Sequence, residues 1–165
     1  MAEPILSFSG VSIAFDTRAG LTEVVSDTSF DLRAGETLGL VGESGSGKTM
    51  VGLAAMGLVP HPGRVTRGSI RLDGVDLLTL DEPRLRALRG SAIAMVLQDP
   101  LSSLNPTLTI GTQLVEAVRA HDAVGADEAK SRAREALARV GIARPDAGLA
   151  AYPHQFSTSP TASRT

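Results

Sequence analysis

An α/β fold built around a phosphate-binding loop is predicted by three adjoining features of the chain. Residues 42–49 read GESGSGKT, a complete match to the pattern G-x-x-x-x-G-K-[ST]. The apolar run TLGLV at 37–41 precedes it and has the composition of a strand. The stretch MVGLAAMGL at 50–58 follows, apolar on all faces as expected of a helix buried against a sheet. Strand, glycine loop and helix in that order separate a phosphate loop from a plain Gly/Ser turn.

The chemistry of the loop follows from its residue types. Gly42, Gly45 and Gly47 carry no Cβ, so the backbone can take positive φ and turn its N–H groups inward around a polyphosphate. A helix starting near Lys48 adds its positive dipole end to the same place. Lys48 reaches the β/γ-phosphates and the Thr49 hydroxyl ligates Mg²⁺. Glu43, Ser44, Ser46 and Met50 complete the predicted nucleotide-binding stretch, whose ligands are ATP and Mg²⁺.

Before the loop, residues 5–15 and 24–32 alternate or cluster β-branched and apolar side chains around the polar stretch 16–20, which predicts two strands of an antiparallel layer. After it, Pro60 and Pro62 are expected to end the helix at 50–58. Residues 69–72 resemble a short strand closing at Asp73 and Gly74. Asp81 suits the cap of a brief helix carrying Leu85 and Leu88, with Pro83 in its first turn. The run AIAMVL at 92–97 reads as the next buried strand, ending at Gln98.

Beyond Pro106 the period becomes helical. Thr109 caps a helix with Ile110, Leu114 and Val118 on one face and Val115 beside them. Residues 127–140 place Ala129, Ala133, Leu137 and Val140 on one stripe, pair Glu128 with Arg132 at i,i+4, and stop at Gly141. These patterns divide the chain into a nucleotide-binding α/β part (1–98), a helical part (99–157) and a Ser/Thr/Pro-rich tail (158–165) expected to be disordered.

The composition narrows the function classes. With 165 residues and 42% hydrophobic content the chain can bury a core, and a net charge of −2 makes no case for nucleic acid as partner. The absence of cysteine excludes disulfides and thiolate sites. No apolar run approaches the roughly 20 residues of a membrane span. The N-terminus lacks the pattern of a signal peptide, so a cytoplasmic location is expected. His61, His121 and His154 are scattered, without partners at ligand spacing, and read as loop or surface residues.

Three segments together resemble a known family: GESGSGKT at 42–49, QDPLSSLNP at 98–106 and AAYPHQFS at 150–157. The chain resembles the ATP-binding subunits of ATP-binding cassette transporters, and within them the dipeptide/oligopeptide importers, from about residue 3 to 157. The resemblance implies a P-loop NTPase core of the ABC ATPase type with an antiparallel β layer and a helical subdomain. It implies that Phe15, which on its own reads equally as a core aromatic, stacks on adenine. It implies that Gln98 ligates Mg²⁺, and that the chain works with a transmembrane permease subunit and a second ATP-binding subunit at the inner face of the cell membrane.

The match stops at Ser157. There the family continues with Gly-Gly, the rest of the signature motif and a strand ending in Asp-Glu, whereas this chain reads TSPTASRT. The expectation is an importer subunit truncated before its signature motif, with its C-terminal half missing, able to bind nucleotide but deficient in hydrolysis. Two other readings stand beside it. One is a degenerate fragment without activity; the other is a stand-alone P-loop kinase or hydrolase using Asp99.

Overall fold

A computed structural model describes residues 3–97 and 103–156. The chain divides into two compact units, Met1–Met95 and Val96–Thr165.

The first unit is organised by a four-stranded antiparallel sheet. β1 (Leu6–Thr17) and β2 (Gly20–Leu32) form a hairpin that closes through Arg18 and Ala19, with Thr17 opposite Gly20. Both strands therefore run closer to the turn than the polar residues 16–20 suggest. The Thr17 hydroxyl donates to the Gly20 carbonyl at 2.7 Å and accepts the Ala19 N–H, which stabilises the tight connection. β3 (Gly63–Leu72) pairs with the other edge of β1, and the two-residue β4 (Val75–Asp76) folds back on β3 across Asp73 and Gly74, giving the order β2-β1-β3-β4. The predicted strand at 69–72 is the end of β3.

One face of this sheet carries the core. Phe8, Val11, Ile13, Val25, Ile70 and Leu72 are buried together with Val51, Ala54 and Ala55 of helix α1 (Lys48–Ala55). Phe8 and Phe30, opposite each other on β1 and β2, stack with ring centroids 4.5 Å apart. Burying these side chains fixes α1 on the sheet at about 1.5–3 kcal/mol per large residue.

Gly57 ends α1, ahead of the two prolines. It takes φ 63°, its N–H bonds the Ala54 carbonyl at 3.0 Å, and the Leu58 N–H bonds the Leu53 carbonyl at 2.8 Å. This is a Schellman stop, which needs a residue tolerant of the left-handed region. Helix α2 (Glu82–Leu88) begins as expected, with the Asp81 carboxylate accepting the Arg84 N–H and Pro83 in the first turn.

Two predicted strands are not formed. Residues 37–41 have no strand pairing among the described residues, and Leu38, Leu40 and Val41 are 43%, 44% and 91% exposed. Among the described residues, 92–97 make only the isolated bridge Arg89↔Ile93. The reason is shared: a strand satisfies its backbone only against a neighbour, and apolar composition does not supply one.

The second unit is helical: α3 (Ile110–His121), α4 (Ala126–Arg139), α5 (Pro145–Ala150) and the single turn α6 (Pro153–Phe156). The Thr109 hydroxyl caps α3 by accepting the Thr112 N–H. Ile110, Ala133, Leu137 and Leu149 form the core, with Leu114, Val115, Ile142 and Phe156 packed around them. Arg132 pairs with Glu128 at 2.8 Å and also with Asp122 at 2.7 Å. Gly141, at φ 83°, ends α4 with a second Schellman stop. Val140 departs from the predicted stripe: it is the cap residue, where the chain turns away, and it is 74% exposed.

Candidate nucleotide-binding site

The glycine loop runs from the exposed Val41 into α1, and its shape is set by two left-handed glycines. Gly45 has φ 83° and Gly47 has φ 87°, values that cost an L-residue roughly 1–2 kcal/mol. Gly47 is also the N-cap of α1 and lies against β2. A Cβ there would meet Val25 Cγ2 at 2.7 Å and the Val24 carbonyl oxygen at 2.8 Å. Gly42 is crossed by Ser46, whose Oγ would stand 2.7 Å from a Cβ at 42. Glycine is thus required by backbone angle at Gly45 and by both angle and backbone contact at Gly47, whereas Gly42 faces only the rotatable Ser46 side chain.

Lys48 folds back over the loop it follows. Its Nζ donates to the Gly42 carbonyl at 2.8 Å, the Glu43 carbonyl at 2.6 Å and the Ser46 hydroxyl at 3.2 Å. The loop closes on itself through the Ser46 N–H, which donates to the Glu43 carbonyl at 3.2 Å. A single ammonium therefore sits at the centre of the loop, half-buried.

The start of α1 is built to receive negative charge. Gly47 offers no side chain to cap it, and its first turn holds no acidic residue. The first N–H groups of a helix have no partner within it, so those of Lys48, Thr49 and Met50 remain available beside the ammonium. A cation plus a fan of backbone donors at the positive end of a helix dipole matches a polyphosphate. The exposed Thr49 hydroxyl, one residue on, suits a hard cation that prefers oxygen ligands. The donor set present fits MgATP at its phosphate end.

Other predicted residues are placed elsewhere. Phe15 lies on β1 opposite Thr22 and Gly63, half-buried against the core, with its ring across Gly63: a Cβ on Gly63 would stand 2.6 Å from Phe15 Cε1 and Cζ. Gln98 and Asp99 lie outside the described residues, as does the tail from 157 onward. His154, in α6, stacks on Tyr152 with centroids 5.8 Å apart.

A model of the ABC transporter family matches residues 25–160. The chain belongs to that family. Among ABC relatives it is 42% identical to a dipeptide transport ATP-binding protein of Haemophilus influenzae and 48% identical to a putative peptide import ATP-binding protein of Brucella abortus. Each match covers 93% of this chain and 46% of the relative. The chain thus spans just under half the length of these relatives. Its fold is similar to that of an ATP-binding cassette solved as a dimer with ADP and phosphate, with a TM-score of 0.66, 21% identity, and coverage of 80% of this chain and 55% of that one. The α/β P-loop architecture expected for this ABC chain is therefore shown, and among the described residues no helix is long and apolar enough to cross a membrane.

Two supports of the loop escaped sequence reasoning. Val24 and Val25 read only as strand residues, and their contact with Gly47 spans more than 20 positions. Arg89 is the other: it reaches back 32 and 33 residues to the end of α1, and no local pattern announces such a contact.

Proposed function

We propose that this chain is the ATP-binding subunit of an ABC importer, and that it binds MgATP through residues 42–50. The observation that carries the reading is the loop itself. Lys48 Nζ sits among Gly42, Glu43 and Ser46, next to a helix start that has neither side-chain cap nor acidic residue. Peptides are the proposed cargo, because the relatives named above carry peptide or dipeptide transport in their descriptions.

In this reading Lys48 exchanges its loop carbonyls for β/γ-phosphate oxygens, while the N–H groups of the loop and of the first turn of α1 take the remaining phosphate oxygens. Thr49 ligates Mg²⁺, and Gln98 is proposed as a second ligand on the family resemblance. Phe15 as the platform for adenine rests on the same resemblance, and its half-buried position near the hairpin end of β1 is compatible with it. Bound MgATP would supply the nucleotide whose binding the family couples to transport. The proposed partners are a transmembrane permease subunit and a second ATP-binding subunit, with the chain peripheral on the inner face of the cell membrane.

Calorimetric titration with MgATP tests the site. Lys48→Ala is expected to abolish binding, because Lys48 supplies the one side-chain cation at the loop. Thr49→Ala is expected to keep nucleotide binding but lose most of the gain that Mg²⁺ confers. Phe15→Ala should weaken MgATP without weakening magnesium tripolyphosphate, which has no adenine. Equal MgATP affinity in the wild type and Lys48→Ala would remove the loop from the function.

A further inference from the structure

We infer that Arg89 is a positioning residue for phosphate binding, acting through the far end of the P-loop helix; this rests on the function proposed above. The helix has two turns, Lys48–Ala55, and its first turn presents the donors that a polyphosphate needs. The direction of those donors is the direction of the helix axis, so whatever fixes the axis fixes the site.

Beside the core packing of Val51, Ala54 and Ala55, contacts from distant parts of the chain meet this short helix along its length. At its start Gly47 rests on Val24 and Val25 of β2. At its middle Gly52 faces Met95, whose Cε would stand 3.3 Å from a Cβ at 52. At its end the Arg89 guanidinium donates from Nε to the Met56 carbonyl at 2.8 Å and from Nη2 to the Gly57 carbonyl at 3.4 Å. These carbonyls sit where the helix dipole is negative, so a cation there is favoured.

Arg89 is itself held. Its Nη1 and Nη2 donate to the two carboxylate oxygens of Glu82 at 2.5 and 3.2 Å, and its side chain is only 18% exposed. A fork bound on one side to a carboxylate and on the other to helix carbonyls has one geometry, which a lysine ammonium cannot reproduce. Leu85, also on α2, closes over the same place: a Cβ on Gly57 would meet Leu85 Cδ1 at 3.0 Å and Arg89 Nη2 at 3.3 Å. The end of the helix is thereby locked to α2, a polar anchor beside the apolar packing of Val51, Ala54 and Ala55 that fixes α1 on the sheet.

The test compares MgATP and magnesium tripolyphosphate affinities of the wild type, Arg89→Ala, Arg89→Lys and Glu82→Gln. Leu137→Val, in the core of the second unit, serves as a variant that lowers stability without touching the core that holds α1. All are measured well below their melting temperatures. Arg89→Ala is expected to bind both probes roughly tenfold more weakly, the lower end of what loss of a supporting residue costs a bound site. Arg89→Lys should lie between, Glu82→Gln should lose less, and Leu137→Val should bind as the wild type does. Amide NMR signals of Lys48, Thr49 and Met50 should shift in Arg89→Ala before any ligand is added. Wild-type affinity in a folded Arg89→Ala protein, or an equal loss in Leu137→Val, would reduce Arg89 to an ordinary helix cap; should Arg89→Ala fail to fold, wild-type affinity in Arg89→Lys with unshifted loop amides would do the same. If the wild type itself bound no MgATP, both this inference and the proposed function would fall, whereas Lys48-dependent binding indifferent to Arg89 would overturn this inference alone.

Discussion

Gly47 rests on Val25: a methyl group added to its Cα would stand 2.7 Å from Val25 Cγ2 and 2.8 Å from the Val24 carbonyl oxygen. The phosphate loop is therefore shaped by the antiparallel hairpin as well as by its own glycines.

Gly47→Ala should accordingly do more damage than its size suggests. The left-handed φ of 87° costs an alanine roughly 1–2 kcal/mol, and the contact with the Val24 backbone adds to it. Chemical denaturation should show the loss, and MgATP affinity should fall with it. Val25→Ala relieves only the side-chain part, so the double variant should recover little; full recovery would show that the backbone contact is unimportant.

The Glu82–Arg89 pair predicts a pH dependence. The hydrogen bond from Arg89, more than the charge itself, holds the Glu82 carboxyl below its ordinary value of 4.5. A carboxylate whose pKa is depressed by folding contributes stability that is present above its unfolded value and lost as pH falls through the folded one. The melting temperature of the wild type should thus exceed that of Glu82→Gln at neutral pH, by a small margin because the carboxylate is exposed. The difference should shrink as the pH falls below the ordinary carboxylate range, and a gap that does not narrow would mean that the pair is not its source.

Thr109→Ala removes the hydroxyl that accepts the Thr112 N–H at 3.2 Å at the start of α3. The expected cost is about 1 kcal/mol. Thr109→Ser should restore most of it, and urea denaturation monitored by helical circular dichroism reads both. An alanine variant as stable as the wild type would show that solvent caps the helix equally well.

Residues 37–41 leave Leu38, Leu40 and Val41 in water without a strand partner among the described residues. An unpaired apolar segment is a template for self-association. Val41→Ser and Leu40→Ser should lower light scattering and raise the concentration at which the chain stays monomeric, with little effect on the melting of the hairpin. Unchanged scattering would place the source of any aggregation elsewhere.

What the sequence determined by itself is what short-range bonds determine. The loop at 42–49, the Asp81 and Thr109 caps, the Glu128–Arg132 pair and the stop at Gly141 were all legible, because helix bonds and caps join residues three to five positions apart and each leaves its residue type in place. The β1–β2 hairpin was legible for the same reason, its turn being two residues long. Only the tertiary structure decided the fate of 37–41 and 92–97, whose apolar composition invites a strand but whose pairing depends on a neighbour that no local pattern names. It also decided that Phe15 lies across Gly63, and that Val25 and Arg89 brace the two ends of the P-loop helix. Those contacts span from 22 to 48 positions, and over such separations a side chain's partner is selected by packing and chain closure, which composition and period do not encode.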